Sequence, residues 1–315
     1  MAAMPEIKSP IESAIEHHYR RIQKPRDSRR IGASSIGKEC DRSIWYSFRW
    51  TTTLVRHEGR LERLFQTGHR EEVRMIDDLR AIGVHVDDMD PKTGQQWEET
   101  ISGVIVAKLD GKVLNVPGAE KTWHILEAKT MNDKSFQSWQ RLGMAVHSPT
   151  YTAQAQIGML AHGIDRALFI VHNKNTDQVS TERVKFDPLL AAQLVAKGER
   201  IAFSDSAPAR TESYKCRFCD HEGICKSSSW ARTNCRTCLH SSIAGGEWVC
   251  TLDQVNLTFE QQRAGCAFHL FLPDLVPGEQ IDASDDYREV TYKLTDGTIY
   301  IDGRFPKPNV PEAIQ

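Results

Sequence analysis

The amino-acid sequence predicts an α/β fold, with a central mixed sheet flanked by helices and followed by a small metal-bound C-terminal module. Apolar residues recur with a helical period over residues 58–82, whereas residues 83–130 show the alternation and β-branched content of strands. Helical and strand-like segments then follow one another up to residue 203, an order typical of an α/β sandwich. All cysteines except Cys40 lie beyond residue 215, which predicts the metal-organised C-terminal part.

The bulk composition is typical of a soluble globular protein, with 40% hydrophobic and 26% charged residues. No apolar run approaches the length of a membrane span, and the first residues lack the apolar core of a signal peptide. We therefore expect a cytoplasmic protein, in a bacterial host cell if it is phage-encoded, whose eight cysteines are thiols or metal ligands.

The net charge of −2 gives no overall attraction to nucleic acid, so any DNA binding must come from local basic patches. One patch lies around Tyr19 and consists of Arg20, Arg21, Lys24, Arg26, Arg29 and Arg30. Its alternative interpretation is a solvated helix end and linker.

The N-terminal part is expected to be largely helical. The first nine or so residues are predicted to be disordered, residues 10–23 helical, 25–35 irregular and 40–50 a short aromatic helix. The helix at 58–82 should end at Gly83, and a helical period joins its apolar positions Leu61, Leu64, Phe65, Val73, Ile76 and Leu79.

Strands are predicted at residues 83–89, 95–101, 102–111 and 122–130, and helices follow at 132–143 and 149–163. A strand pair at 166–174 and 178–186 and a helix at 187–203 complete the region. We divide the chain into an N-terminal helix with a basic linker (1–31), a core (32–226), a cysteine-rich module (227–275) and a tail (276–315). The tail is expected to form a hairpin around Asp296 and Gly297.

Three charged residues carry the strongest chemical signal. Asp110 ends one predicted strand, and Glu127 and Lys129 lie two apart in the next, so a strand period places both side chains on one face. Carboxylates suit Mg²⁺ or Mn²⁺, which polarise a phosphoryl group, while a lysine orients the attacking water. The alternative is an ordinary exposed charge pattern. Acidic residues at 71–72 upstream and the TAQAQ helix downstream favour the catalytic interpretation.

With these neighbouring features, the sequence resembles the PD-(D/E)xK nucleases over residues 32–225. The resemblance is specifically to their RecB-like exonuclease branch, which includes phage recombination exonucleases and CRISPR-associated exonucleases. The resemblance implies a restriction-endonuclease-like core, with Asp110, Glu127 and Lys129 as catalytic residues. It implies metal binding by Glu72, Asp110 and Glu127, with His69 as the rival of Glu72. The carbonyl of Ala128 is an expected further ligand. The proline of the motif is absent, because Leu109 precedes Asp110.

The family's next helix carries a Q-x-x-x-Y motif that contacts DNA. Gln154 matches its glutamine as a candidate catalytic residue, but Gly158 stands at the tyrosine position, which leaves Gln156 and Tyr151 as substitutes. Lys134, in the stretch that follows the core motif, is either a phosphate contact or a solvated lysine.

Two partitions of the cysteines compete. In the preferred one, Cys40 joins a C-x2-C-x5-C group to ligate a [4Fe–4S] cluster, as in RecB-like nucleases that staple their domain with such a cluster: Cys40, Cys216, Cys219 and Cys225. The remaining four then form a zinc-ribbon-like Zn²⁺ site, in which His240 or His269 is an alternate ligand: Cys235, Cys238, Cys250 and Cys266.

The rival partition makes one zinc site from Cys216, Cys219, Cys235 and Cys238 and leaves the other four cysteines scattered. Arg232 and Arg236 lie in the same module. They are interpreted either as DNA contacts or as solubilising charges.

The function expected from the resemblance is a Mg²⁺- or Mn²⁺-dependent DNA exonuclease, phage-encoded and working in recombination or end processing with a single-strand annealing protein. The alternative is a DNA-binding adaptor with a vestigial nuclease core. An iron–sulfur redox protein is the weakest hypothesis, because no nicotinamide or flavin motif accompanies the cysteines.

Overall fold

The computed structural model describes residues 9–24, 27–54, 56–226, 229–286, 288–304 and 307. The disorder expected of the first nine residues falls almost wholly outside this range, as does Arg26 of the basic patch. Across the described residues, no helix combines the length and the apolar character that a membrane crossing requires.

The elements follow one another in the predicted order of helix, strands, helices, strands and helix. The helices are α1 Pro10–Ile22, α2 Ala33–Ile36, α3 Asp41–Phe48, α4 Gly59–Ala81, α5 Asp133–Leu142, α6 Met144–His147, α7 Pro149–His162, α8 Pro188–Ala202, α9 Glu222–Lys226 and α10 Phe259–Ala264.

The strands are β1 Ile31–Gly32, β2 His85–Asp87, β3 Glu98–Ile101, β4 Ile105–Lys108, β5 Gly111–Leu114, β6 His124–Met131, β7 Arg166–Asn173, β8 Val179–Lys185, β9 Ser241–Ala244, β10 Glu247–Cys250, β11 Val255–Asn256, β12 Gly278–Ala283, β13 Val290–Leu294 and β14 Ile299–Asp302.

The central sheet is mixed, as the sequence predicts, with the strand order β2-β5-β6-β7-β8. Within this sheet β6 and β7 form the parallel pair, because the helices α5, α6 and α7 return the chain across one face between them. On that face Ile125 and Phe169 pack beneath Phe136, Trp139 and Met159. The other face is covered by α4, where a buried cluster joins Met75, Ile76, Leu79, Val113, Leu126, Leu168 and Ile170.

The strand predicted over residues 102–111 is too long, since only β4 lies wholly within it, and β5, which begins at Gly111, was not predicted. β4 belongs to a small sheet of order β1-β4-β3 and β5 to the central sheet, with a break between them. The break falls at Leu109 and Asp110. There the Leu109 N–H donates to the Trp97 carbonyl at 3.1 Å, and the Asp110 carboxylate turns to accept the Ala128 N–H at 2.8 Å. The break therefore presents Asp110 to the neighbouring strand.

The expected apolar face of α4 is only half correct. Ile76 and Leu79 are buried, but Leu64, Phe65 and Val73 are 40%, 46% and 59% exposed. The first half of α4 packs against α1 rather than against the sheet, because Gly59 approaches the backbone of Glu16 closely. Helical periodicity therefore predicted the helix correctly, but it did not predict which of its apolar residues pack against the sheet.

The C-terminal residues share a core with the N-terminal ones. Trp45 and Tyr46 of α3 belong to the same buried cluster as Trp248, Phe271 and Tyr292. The last strands form a separate antiparallel sheet, β12-β13-β14, in which the chain turns between β13 and β14 at Asp296 and Gly297. Ile105 and Ala107 of the small β1-β4-β3 sheet belong to the same buried cluster as Trp45.

Candidate active site

The register of β5 and β6 brings the three charged residues together. Gly111 pairs with Leu126 in this antiparallel ladder, so Asp110, one residue earlier, lies opposite Glu127. Glu127 and Lys129 alternate with Ala128 along β6 and therefore point to the same face.

Lys129 bridges the two carboxylates. Its ammonium Nζ lies 2.7 Å from Oε2 of Glu127 and 3.5 Å from Oδ2 of Asp110. The same Oδ2 of Asp110 accepts the Ala128 N–H, which ties the loop before β5 to the backbone of β6. Glu127 and Lys129 are thus positioned by β6, and Asp110, in the loop before β5, is fixed by its hydrogen bond to β6.

Burial dominates the electrostatics of this group. Glu127 is fully buried, and burial first, then the charge of Asp110, raises its pKa to about 7 against the opposing effect of Lys129. Burial by itself lowers the pKa of Lys129, but the charges of Glu127 and Asp110 outweigh it and hold this pKa above its ordinary value. The lysine is therefore a permanent cation in a site with excess carboxylate.

Glu72, rather than His69, faces these residues from α4. Burial and the neighbouring charge of Asp110 raise the pKa of Glu72, and the charges of His69 and Lys129 oppose that rise. The side chain of His69 is 80% exposed and reaches Glu72 only at 3.9 Å, from the solvent side. The structure therefore brings Glu72 to the group and leaves His69 at its rim.

One oxygen in the group has no partner. Oε1 of Glu127 is buried and accepts no hydrogen bond, which is costly for a carboxylate unless a cation satisfies it. Three carboxylates and this orphaned oxygen fit a hard divalent cation. Across the described residues, however, no three His, Cys, Asp or Glu side chains converge well enough to hold a metal ion as they stand. At this site the Lys129 ammonium contacts both carboxylates, so it would have to shift when an ion binds.

The helix α7 corrects the expectations about its glutamines. Gln156 is buried, and its side chain donates to the Lys185 carbonyl and accepts the Asp187 N–H, which joins α7 to the start of α8. Both polar ends of its side chain are therefore used in contacts within the fold. Gln154 is half-buried and remains the motif candidate.

Gly158 stands at the expected tyrosine position because α7 lies directly on the sheet there. A Cβ atom at Gly158 would lie 3.0 Å from side-chain atoms of both Ile125 and Leu109. The aromatic ring near the site comes instead from the first turn of α7, where Tyr151 lies with its ring centroid 5.4 Å from the Lys129 ammonium. Lys134 is exposed in the first turn of α5.

The cysteines fall into two places in the structure. One small cavity is lined by four of them together with Tyr46 and His221: Cys40, Cys216, Cys219 and Cys225. The other four lie where the β9-β10-β11 sheet meets α10: Cys235, Cys238, Cys250 and Cys266. His269, an expected alternate ligand, is buried with its Nε2 3.2 Å from the Thr237 hydroxyl.

Comparison with known proteins gives only distant structural likenesses. No family model and no curated protein matches the chain. It is similar to the crystal structure of SSO0001, with 12% identity and a TM-score of 0.42, over 70% of this chain and 98% of that one. It is also similar to an alkaline exonuclease (LHK-Exo) from Laribacter hongkongensis, with 17% identity and a TM-score of 0.40, over 59% of this chain and 90% of that one. The chain is similar as well to the complex of LHK-Exo with dAMP, with 16% identity and a TM-score of 0.40, over 55% of this chain and 85% of that one.

Two arginines expected at the surface are buried. Arg232 pairs with Asp27 at 2.9 Å, and Arg236 is 1% exposed beneath three aromatic rings. Both DNA contact and solubilisation are therefore wrong for these residues. For Arg236, the available signal was its position inside the C-x2-C segment between Asn234 and Thr237, because short polar residues there cap and fix a tight turn.

Proposed function

We propose that this protein is a divalent-metal-dependent DNA nuclease that hydrolyses phosphodiester bonds. The observation that carries the proposal is the buried Glu127 carboxylate, which contacts the Lys129 ammonium, lies opposite Asp110 and keeps one oxygen without a partner. A buried carboxylate that must share its one cation with a second carboxylate lowers the stability of the fold. Such groups are concentrated at functional sites.

In this proposal Glu72, Asp110 and Glu127 hold Mg²⁺ or Mn²⁺, and the Ala128 carbonyl completes the protein ligands. When bound, the ion polarises the phosphoryl oxygens and lowers the pKa of the attacking water. The three carboxylates come from three parts of the chain: Glu72 from α4, Asp110 from the loop before β5, and Glu127 from β6. Binding of the ion would require the Lys129 ammonium to move from its place between Asp110 and Glu127.

Lys129 supplies the fixed positive charge. Because its pKa lies above the ordinary value, it stays an ammonium and acts by orienting water and by stabilising the charge that develops on the phosphate, not as a base. The face of Tyr151 borders this ammonium and restricts its position. Gln154, on the next turn of α7, is the candidate for contact with DNA.

The test is release of a fluorescent label from DNA ends in Mg²⁺, Mn²⁺ or EDTA. We expect metal-dependent release by the wild type and its loss in Asp110→Asn and Lys129→Met. A matched control is Lys108→Met, since this lysine is exposed on the other sheet and pairs with Glu98. Label release that persists in Asp110→Asn would contradict the proposed active site. DNA binding by the wild type without any cleavage favours the adaptor instead.

We further propose that the first cysteine set holds a [4Fe–4S] cluster. Four thiol donors around one cavity fit such a cluster, and Cys40, at the N-cap of α3, would tie the start of the core to its end. Anaerobically purified protein should then show iron and a visible absorbance band, and both should be lost in Cys219→Ser. Iron-free protein from an anaerobic preparation would contradict this.

The finer assignment is an exonuclease of phage recombination or DNA end processing, with a single-strand annealing protein as its partner. It rests on the family resemblance of the sequence. Degradation of linear but not of closed circular DNA would support the exonuclease assignment, and cleavage of both would overturn it.

A further inference from the structure

The segment between Cys235 and Cys266 is poor in apolar core. Among its residues, all of which the structure describes, the buried hydrophobic side chains are Cys238 and Trp248. Its sheet has strands of four, four and two residues, and α10 has six. The segment is anchored on the main core through Trp248, Ile243 and Leu257, and a metal cross-link would add to the few apolar contacts that it makes.

The backbone brings the four cysteines of this segment to one place. The Cys238 N–H donates to the Cys235 carbonyl at 3.1 Å, so the C-x2-C pair forms a tight turn. The Thr251 N–H donates to the His240 carbonyl at 2.7 Å, which sets Cys250, at the end of β10, beside the residues that follow Cys238.

The fourth cysteine arrives from α10. Gly265 has φ +72° and lies against the backbone of Asn234. Cys266 follows Gly265 and Cys235 follows Asn234, so the two cysteines are brought close together. Cys235 Sγ also lies 3.3 Å from the Gln261 carbonyl of α10. Each cysteine is thus held by a hydrogen bond or a close backbone contact near the other three.

We propose that Cys235, Cys238, Cys250 and Cys266 bind one Zn²⁺ ion as four thiolates. The His240 N–H already lies 3.4 Å from Cys238 Sγ, the kind of hydrogen bond that stabilises a bound thiolate. Four sulfur donors match the tetrahedral preference of zinc. The four side chains do not converge as they stand among the described residues, so the thiols would have to rotate toward a common centre. Four thiolates leave no open position, so the ion is structural.

A bound divalent ion would join the C-x2-C turn to the end of β10 and to the residues that follow α10. Its binding energy would therefore become folding energy of the segment.

The C-x2-C turn of Cys235 and Cys238, with the residues just before it, also donates hydrogen bonds to the N-terminal part of the core. The Arg232 N–H donates to the Thr51 carbonyl at 2.7 Å and the Asn234 side chain to the Trp50 carbonyl at 3.1 Å. Arg236 donates to the Phe48 carbonyl at 2.8 Å. Zinc would therefore order residues 48–51 at the end of α3, the helix that begins after Cys40.

The test is metal analysis of the full-length protein, purified without chelators from zinc-supplemented cells. We expect ~1 zinc per chain in the wild type. Cys250→Ser and Cys266→Ser should lose this zinc, whereas Cys216→Ser, the matched control from the other set, should keep it. Zinc that is lost in Cys216→Ser but retained in Cys250→Ser supports the rival partition and overturns the proposal.

A measurement on the wild type does not depend on the folding of variants. Cobalt added to zinc-stripped protein should give the intense visible bands of a tetrahedral thiolate site. Removal of zinc should also speed hydrogen exchange at residues 48–51. Absence of cobalt bands, or unchanged exchange after zinc removal, contradicts the proposal whether or not the protein is a nuclease.

Discussion

Lys129 lies 2.7 Å from the buried Glu127 carboxylate, two residues away on the same face of β6. In an ordinary strand such a pair is exposed and weak. Here it is buried, and Lys129 also contacts Asp110 at 3.5 Å. Loss of the lysine therefore leaves two carboxylates without their cation, whereas loss of the Glu127 charge leaves the lysine paired with Asp110.

For Glu127, we predict that Glu127→Gln removes catalysis without unfolding the chain. The amide keeps the shape of the side chain and relieves the cost of a buried carboxylate, so the free energy of unfolding should stay within about 1–2 kcal/mol of wild type or rise. The rate of end release should fall by at least about 100-fold. Urea unfolding and the cleavage assay measure the two effects, and a large loss of stability with normal cleavage would contradict the prediction.

The two glutamines of α7 should behave differently. Gln156→Ala leaves the Lys185 carbonyl and the Asp187 N–H without their partner, which costs about 1–3 kcal/mol of stability. Gln154→Ala should change stability by less than about 0.5 kcal/mol. It should instead weaken DNA binding, measured by fluorescence anisotropy in EDTA. The reverse pattern would exchange their roles.

Restoring the family tyrosine should damage the protein. Gly158→Tyr inserts a ring where even a Cβ atom lies 3.0 Å from Ile125 and Leu109. Overpacking of this kind costs about 1–3 kcal/mol or more. The urea midpoint should fall and activity should not improve. A stable variant with higher activity would show that α7 can move away from the sheet.

His162 should make the protein less stable in acid. Burial, and then Lys112, lower the pKa of His162 from 6.5 to about 4, so the folded state resists a proton that the unfolded chain accepts. Its destabilising effect is therefore absent above about pH 6.5 and grows as the pH falls toward 4. We expect His162→Gln to lose less stability than wild type between these pH values in urea unfolding. Parallel losses in the two proteins would contradict this.

The sequence predicted much of this architecture because the relevant signals are local. Helical periodicity located α4 and α7, and strand alternation located β6 with Glu127 and Lys129 on one face. The charged residues were identifiable because a strand period alone decides which side chains share a face.

What the sequence did not predict depends on contacts between distant segments. The strand break at Asp110 follows from hydrogen bonds to Trp97 and Ala128, which no local pattern contains. Likewise, the burial of Arg236 depends on rings contributed by Phe48, Trp50 and Trp248. Exposed Phe65 and Val73 show the same limit, because periodicity does not say which neighbour covers a helix.

The most direct measurement is Mn²⁺ binding by the wild type and by Glu127→Gln, followed by electron paramagnetic resonance in the absence of DNA. If the orphaned Glu127 oxygen is a metal ligand, the wild type binds Mn²⁺ and the variant binds it at least about 10-fold more weakly. Equal affinity in the two proteins, or no binding by the wild type, would contradict the proposed metal site.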